Sequence, residues 1–424
     1  AGNDSLDGGS GNDLVRQEID ADQVLVDTLV TGDGNDTLTS VENGWLIAGS
    51  SDNSLDADGF ALGSVTLDGA GGNDTLTGSG QDDSLDGGTG TDLVLQTADT
   101  QQVLTDNSLT GRGNDVVSSI ELAALTGGNS DNRIDAADFS GTATLVGGQG
   151  NDTLLGAAGD DSLDGGTGTD EIQQVADADQ VLVDNSLTGD GNDTLNSIER
   201  AVLTGGGSNN TLDPSGFTLG PVTLLGLAGN DTLHGSPGND LIDGGTGSDQ
   251  VRQAVNTDQV LTNTSLSGQG SDLLVSIEEA ILTGGAGNND LDAGGFSAGP
   301  VTLVGADGND TLTGTSTSDT LDGGPDTDTG RVIYDGNLVL TDSTIVGPGS
   351  DTLIAIERFT ITGGSGDNHF DASAYTLGSV TLDGAGGNDT LLGSTSDDTL
   401  IGGAGTDTVE QTVDGNQALS DTTL

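Results

Sequence analysis

Apolar residues in this chain come singly or in short triplets, separated by runs of Gly, Asn, Asp, Ser and Thr. From residue 69 onward they fall at Leu76, Leu85, Val94, Leu104, Val117, Leu125, Ile134 and Leu145, and then at Leu154. The spacing never takes the 3.6-residue period of a helix, and the intervening residue types are poor helix formers. Short apolar triplets bounded by turn-forming residues read as strands. Eight such strands suggest four two-strand coils of about 20 residues each, in a chain with no helix.

The pattern repeats along the chain. The acid of the GND-type motif recurs as Asp36, Asp115, Asp193, Asp272 and Asp351, in steps of 79, 78, 79 and 79. Parallel series run through Asp74, Asp152, Asp231, Asp310 and Asp389, and through Asp56, Asp135, Asp213, Asp292 and Asp371. Two further series are Asp4, Asp83, Asp161, Asp240, Asp319 and Asp398, and Asp13, Asp92, Asp170, Asp249, Asp328 and Asp407. One 79-residue unit therefore recurs through residues 1–424 as a single continuous solenoid. Its units are 1–68 (partial), 69–146, 147–225, 226–304, 305–383 and 384–424 (partial). The chain opens and closes inside a repeat, and we expect it to be a window of a longer protein.

Each unit contains a finer period. Residues 69–77 read GAGGNDTLT, 78–86 read GSGQDDSLD and 87–95 read GGTGTDLVL. This resembles the RTX, or hemolysin-type, nonapeptide G-G-x-G-x-D-x-U-x, in which U is a large aliphatic residue. The resemblance implies an all-β fold, a parallel β-roll or β-helix whose six-residue turns bind Ca²⁺ and whose remaining three residues form short strands. It also implies secretion by a type I system to the cell exterior.

The turn chemistry agrees with a hard cation. Glycines at positions one, two and four free the backbone, so that carbonyls can face a common centre. Asp at position six adds a carboxylate. Ca²⁺ takes about six to eight oxygen ligands and accepts irregular geometry, so one turn supplies half a shell and the next turn on the same side supplies the rest. Asp74 and Asp92 have the 18-residue spacing of stacked turns. Continuing through Asp115, Asp135 and Asp152, the spacing predicts one Asp ladder along one edge. The second edge carries the Asp83 series, followed by Asp106 and its equivalents Asp27, Asp184, Asp342 and Asp421, with Asn at 263. All five series enumerated above are candidate calcium ligands. Residues 323–331 (GGPDTDTGR) depart from the motif: Asp326 replaces a glycine and Gly330 replaces the aliphatic, which predicts an altered turn or a lost strand.

A formal charge of -62, with 69 acids against 7 Arg and no Lys, changes the picture in two ways. It argues against nucleic acid and anionic membranes as partners, and it demands neutralising cations, since self-repulsion of this size expands a chain with so thin a core. No apolar run approaches a membrane-spanning length. Zero Cys fits an exported protein stapled by metal rather than by disulfides. The Glu42, Glu121, Glu199, Glu278 and Glu357 series could supply a ligand or a lateral contact, but the favoured reading is an exposed residue copied with the repeat. Gln23, Gln102, Gln180 and Gln259 read as an internal hydrogen-bonded ladder. His234 and His369 share no repeat position, and the sequence offers neither of them the convergent ligand set that a catalytic or zinc role requires. No catalytic motif is present, so we expect no enzyme activity. The expected role is an extracellular calcium-binding structural protein (surface layer, sheath, filament or adhesin stalk) able to assemble with copies of itself. The alternative is the RTX region of a secreted toxin or hydrolase whose catalytic domain lies elsewhere.

Overall fold

The computed structural model describes residues 2–347 and 349–410, and among these every regular element is a β-strand. The chain divides into two compact units, Ala1–Gly205 with Asp213–Val222, and Gly206–Leu212 with Thr223–Leu424. In each unit, two parallel sheets face one another across a thin core.

The repeat at 69–146, with the strand that runs on into the next copy, shows the design. Its strands are β1 (Thr75–Thr77), β2 (Ser84–Asp86), β3 (Leu93–Thr97), β4 (Gln102–Thr105), β5 (Ser108–Thr110), β6 (Asn114–Ser118), β7 (Leu122–Thr126), β8 (Arg133–Asp138) and β9 (Thr142–Gln149). β1, β3, β7 and β9 stack in parallel in one sheet. In the other, β2 pairs in parallel with β6, and β4 with β8. Between them β5 pairs antiparallel with both β4 and β6.

The nine strands correct the expectation of eight. Leu109, on β5, is as buried as the anticipated positions, but it lies only five residues after Leu104, too close to register as a separate coil. The consequence is topological. The hairpins hold β4, β5 and β6 in one sheet, so a 79-residue repeat crosses between sheets an odd number of times. The next copy begins on the opposite sheet: Thr153–Leu155 pairs with β8, whereas Ser162–Thr167 pairs with β9. Within each compact unit, successive hairpins therefore fall in opposite sheets.

The core follows period-two alternation. All eight apolar positions anticipated from spacing are fully buried, as is one aromatic per repeat, at Phe60, Phe139, Phe217, Phe296 and Tyr375. The glutamines of the Gln102 series are internal and hydrogen-bonded, each within its own copy. Gln102 donates through Nε2 to the carbonyls of Thr126 (2.9 Å) and Ala98 (3.3 Å), while Gln96 Nε2 donates to Gln102 Oε1 at 2.9 Å.

Of the two outcomes expected for the irregular nonapeptide at 323–331, the turn is altered and the strand is kept. Asp326 is left-handed at φ 83°, where the equivalent Gly90, Gly168 and Gly247 have φ of 151°, 150° and 147°, and Thr329–Ile333 pairs along its length with Arg358–Thr362. The missing aliphatic side chain is replaced from across the ladder. Phe359, where other copies have Gly44, Ala123, Ala201 or Ala280, fills the space over Gly330 and packs edge-on against Tyr375 with ring centroids 5.6 Å apart. Phe359→Ala should cost about 3–5 kcal/mol locally. Adding Gly330→Val, which restores the pair used by other copies, should recover most of it. Amide hydrogen exchange in Thr329–Ile333 of the calcium-loaded protein checks both outcomes.

Candidate metal centre

The turn at residues 87–92 shows how sequence makes a ligand set. Gly88 and Gly90 lie in the left-handed region (φ 90° and 151°), and Gly90 packs so close to the Gly72 carbonyl of the turn below that no Cβ fits. This contact brings successive turns into register. Asp92 is fully buried and its Oδ1 accepts the Asp74 N–H at 2.7 Å. Asp74 Oδ1 in turn accepts the Asn53 N–H at 2.7 Å. The next copies repeat the pattern through Asn132, Asp152 and Asp170, and through Asn289, Asp310 and Asp328. Asn210 donates to Asp231, and Asp231 to Asp249. Asn368, Asp389 and Asp407 form the last run.

In Asp74, Asp92, Asp152, Asp170, Asp249, Asp310, Asp328 and Asp389 one carboxylate oxygen is held by the protein and the other is not. Oδ2 of Asp13, Asp74, Asp92, Asp152, Asp170, Asp249, Asp310, Asp328 and Asp389 is buried without a hydrogen-bond partner. A Cβ on Gly69 would lie 2.6 Å from Asp74 Oδ2 and would also meet the Gly87 carbonyl of the turn above. Carboxylate and carbonyl from two tiers thus converge on one cradle. Burial raises the carboxyl pKa of Asp74, Asp92, Asp152, Asp170, Asp249 and Asp310 above the ordinary range, and pushes Asp328 up to about 6. Neighbouring carboxylates add to the rise at most of them. A buried, half-satisfied carboxylate beside another acid calls for a cation.

The donor set is all oxygen, which suits Ca²⁺ and not a thiolate- or imidazole-preferring metal. Among the described residues no three Asp, Glu, His or Cys side chains converge. Each cradle offers at most two carboxylates, and backbone carbonyls must complete the shell.

The ladder differs from the expected one. Asp115 does not follow Asp92; its Oδ1 accepts the Asp83 N–H at 2.9 Å, on the opposite edge. Asp36, Asp193, Asp272 and Asp351 sit likewise over Asp4, Asp161, Asp240 and Asp319. The hairpins are the reason, since they carry this segment back onto β2 rather than onto β3. Asp135 is not a rung either. It lies at the end of the apolar triplet, and its carboxylate accepts the Ala137 N–H and pairs with Arg133. Asp56, Asp213, Asp292 and Asp371 cap their own turns in the same way. Asn132 and its equivalents occupy the ladder position instead. The single ladder becomes short runs, and their edge alternates because each copy starts on the other sheet.

The turn at 78–83 is of another kind. Neither Ser79 nor Gly80 is left-handed. Asp83 spends both oxygens on the protein, taking the Val65 N–H (2.8 Å), the Ser79 N–H (2.6 Å) and the Ser79 hydroxyl (3.0 Å). Asp161 and Asp319 are held similarly, whereas Asp398 keeps a buried unpartnered Oδ2. Asp106, Asp27, Asp184 and Asp342 accept amide N–H groups about a coil away, as does Asn263. Asp421 lies outside the described residues.

Comparison with known proteins agrees with this geometry. The family model for the RTX calcium-binding nonapeptide repeat matches residues 1–22, 26–40, 66–94, 138–172, 223–251, 302–329 and 381–410. The chain thus carries RTX calcium-binding nonapeptide repeats in several stretches along its length, and Ca²⁺, in several copies, is the cofactor of those repeats. Search of curated proteins returns no match. Among solved structures, the extracellular lipase LipA from Serratia marcescens aligns at 15% identity over 63% of this chain and 38% of the lipase chain, with a TM-score of 0.15. The chain thus spans well under half the lipase's length.

Proposed function

We propose that this chain is a non-catalytic, calcium-loaded structural segment of an extracellular protein, exported by a type I route and acting as a stalk, sheath, filament or surface layer. Recurrence of one surface carries the reading. Val24, Val103, Val181, Val260 and Val339 occupy the same place on the hairpin of each copy, and each is exposed. An apolar side chain kept on the outside of every hairpin, in opposite sheets on successive copies of a compact unit, offers neighbouring molecules the same docking patch on either face. Bound calcium cancels much of the repulsion between two such acidic surfaces. No helix among the described residues is long and apolar enough to cross a membrane.

The test is light scattering and electron microscopy across a calcium titration. Filaments or sheets are expected above the calcium concentration that completes folding. Replacing the five valines by Asp should suppress them while leaving the β-rich circular dichroism intact. A strictly monomeric protein at every calcium concentration would leave only a spacer role.

A further inference from the structure

The ladder of buried carboxylates does not stop at the last nonapeptide of each copy. Above Asp92 the chain has left the repeat motif: the next 29 residues contain the hairpins, and the family model matches nothing between residues 95 and 137. Yet the Asp92 N–H finds a carboxylate oxygen of the same kind that Asp92 offers Asp74. It donates to Glu121 Oε2 at 3.0 Å. The same bond joins Asp13 to Glu42 (2.9 Å), Asp170 to Glu199 (2.9 Å), Asp249 to Glu278 (3.0 Å) and Asp328 to Glu357 (2.9 Å).

Two observations mark the space between these tiers as a cation site. The Oδ2 atoms of Asp13, Asp92, Asp170, Asp249 and Asp328 are all buried and unpartnered, and the last four residues are themselves fully buried. Their aim is fixed by the cradle glycine: a Cβ on Gly87 would lie 2.7 Å from Asp92 Oδ2 and against the Ser119 carbonyl of the tier above. Gly165, Gly244 and Gly323 meet the Ser197, Ser276 and Ala355 carbonyls in the same way. That carbonyl is turned inward at a cost. Ser40, Ser119, Ser197, Ser276 and Ala355 are all left-handed, with φ between 48° and 55°, although none is glycine. Backbone strain repeated in every copy belongs to a conformation that something holds in place. Glu121 also adds to the upward pKa shift of Asp92, as Glu199, Glu278 and Glu357 do for Asp170, Asp249 and Asp328.

We propose that the Ser-Ile-Glu-type segment closes a further Ca²⁺ site in each repeat, with the Glu42, Glu121, Glu199, Glu278 or Glu357 carboxylate standing in for the Asp of a missing next nonapeptide. The site joins Asp92 Oδ2 and the Ser119 carbonyl with Glu121, and its counterparts do the same. The extra methylene of Glu lets a tier that arrives from the hairpins, not from a nine-residue turn, reach the ion. Each ion then ties β3 to the strand above it across the 29 residues that contain the hairpins, so the irregular part of the repeat is stapled by the same chemistry as the regular part.

The inference rests on the chain being a calcium-binding repeat, and the test separates the two. Calcium stoichiometry is measured by equilibrium dialysis with ⁴⁵Ca²⁺ on the full chain, on a variant with all five glutamates changed to Gln, and on one with Asp74, Asp152, Asp231, Asp310 and Asp389 changed to Asn. Gln keeps an oxygen for the Asp92 N–H, so a purely structural role predicts no lost ions. The proposal predicts a loss of five ions from the Glu→Gln protein, with circular dichroism in saturating calcium still β-rich. If the Glu→Gln protein binds as many ions as the parent while the Asp→Asn protein loses them, the glutamate site is wrong and the calcium reading stands. If the parent binds none, both fall. If Glu→Gln removes five ions but also the β signal, Glu→Asp at the same positions decides. Recovery of both by a carboxylate supports a ligand, and recovery of the β signal without the ions rejects it.

Discussion

In excess chelator at neutral pH the chain is expected to be expanded and poor in β-structure, and millimolar Ca²⁺ is expected to convert it to the β-rich fold described above. The reasons lie in the core and the ladder. The short strands contribute one inward apolar side chain each, Leu76 on β1 or Leu85 on β2, and longer ones such as β7, β8 and β9 add only an alanine, so the buried apolar area per residue is small. Against it stand 69 acids, several of them fully buried with one oxygen unpartnered. Removing an ionised carboxylate from water without a counter-charge costs several kcal/mol, more than a single buried leucine returns. Calcium reverses the sign at every rung. An ion present at a hundred times its dissociation constant adds about 2.7 kcal/mol to the folded state, and a stack of such sites makes the transition steep. Magnesium should substitute poorly, because it holds its waters and demands a tighter octahedron than turn carbonyls can form. Far-ultraviolet circular dichroism during a calcium titration reads the transition. A full β spectrum in chelator at pH 8 would sink the argument.

The parts of the molecule that follow one short-range rule were legible in the sequence. The spacing of apolar residues between turn-forming runs located the inward positions from Leu76 to Leu145, and the 18-residue spacing of Asp74 and Asp92 put them on adjacent rungs of one edge. What escaped depends on a decision made by the chain between motifs. Thr105–Ser108 is a hairpin turn that sends β5 back antiparallel, and no spacing rule separates such a reversal from an ordinary corner of the coil. Once it is missed, every later residue is assigned to the wrong edge, which is how Asp115 came to be placed over Asp92 rather than over Asp83. Glu121 was hidden by the same reversal. It lies 29 residues beyond Asp92, and only when the hairpins are subtracted does it fall where the next ladder acid should be. Its signal was present in the five-fold recurrence of the Ser-Ile-Glu type of segment. The distinction between open turns such as 87–92 and closed ones such as 78–83 was only partly available: 87–92 has glycine at positions two and four and 78–83 at neither, but 69–74 leaves Asp74 Oδ2 unpartnered with Ala70, also left-handed, at position two.

Acidification should partly replace calcium. Asp115, Asp193 and Asp272 are pushed up to about 7, and Asp351 and Asp328 to about 6, chiefly by burial. The nearby Asp83, Asp161, Asp240, Asp319 and Asp310 carboxylates respectively add to the rise. The ordinary value for such a carboxyl is 3.8. A raised folded-state value means that the folded chain binds the proton more tightly than the unfolded chain. The stability these groups contribute is therefore fully present below about pH 4 and is lost as pH climbs through 6 to 7. Above that range each must be buried as an anion. In chelator, lowering the pH from 8 to 5 should increase β-structure and compaction, as these groups bind protons and the overall charge declines. Calcium affinity should move the other way, since protons and Ca²⁺ compete for the ladder carboxylates. The midpoint of the calcium titration should thus rise on acidification while the metal-free baseline becomes more folded. Circular dichroism and small-angle scattering at pH 5 and pH 8, each with and without calcium, resolve the two trends. Asp115→Asn and Asp193→Asn together should flatten the metal-free trend, because a neutral amide has no proton to gain. A metal-free protein that is equally unfolded at both pH values, or more folded at pH 8, would show that these buried carboxylates do not limit folding.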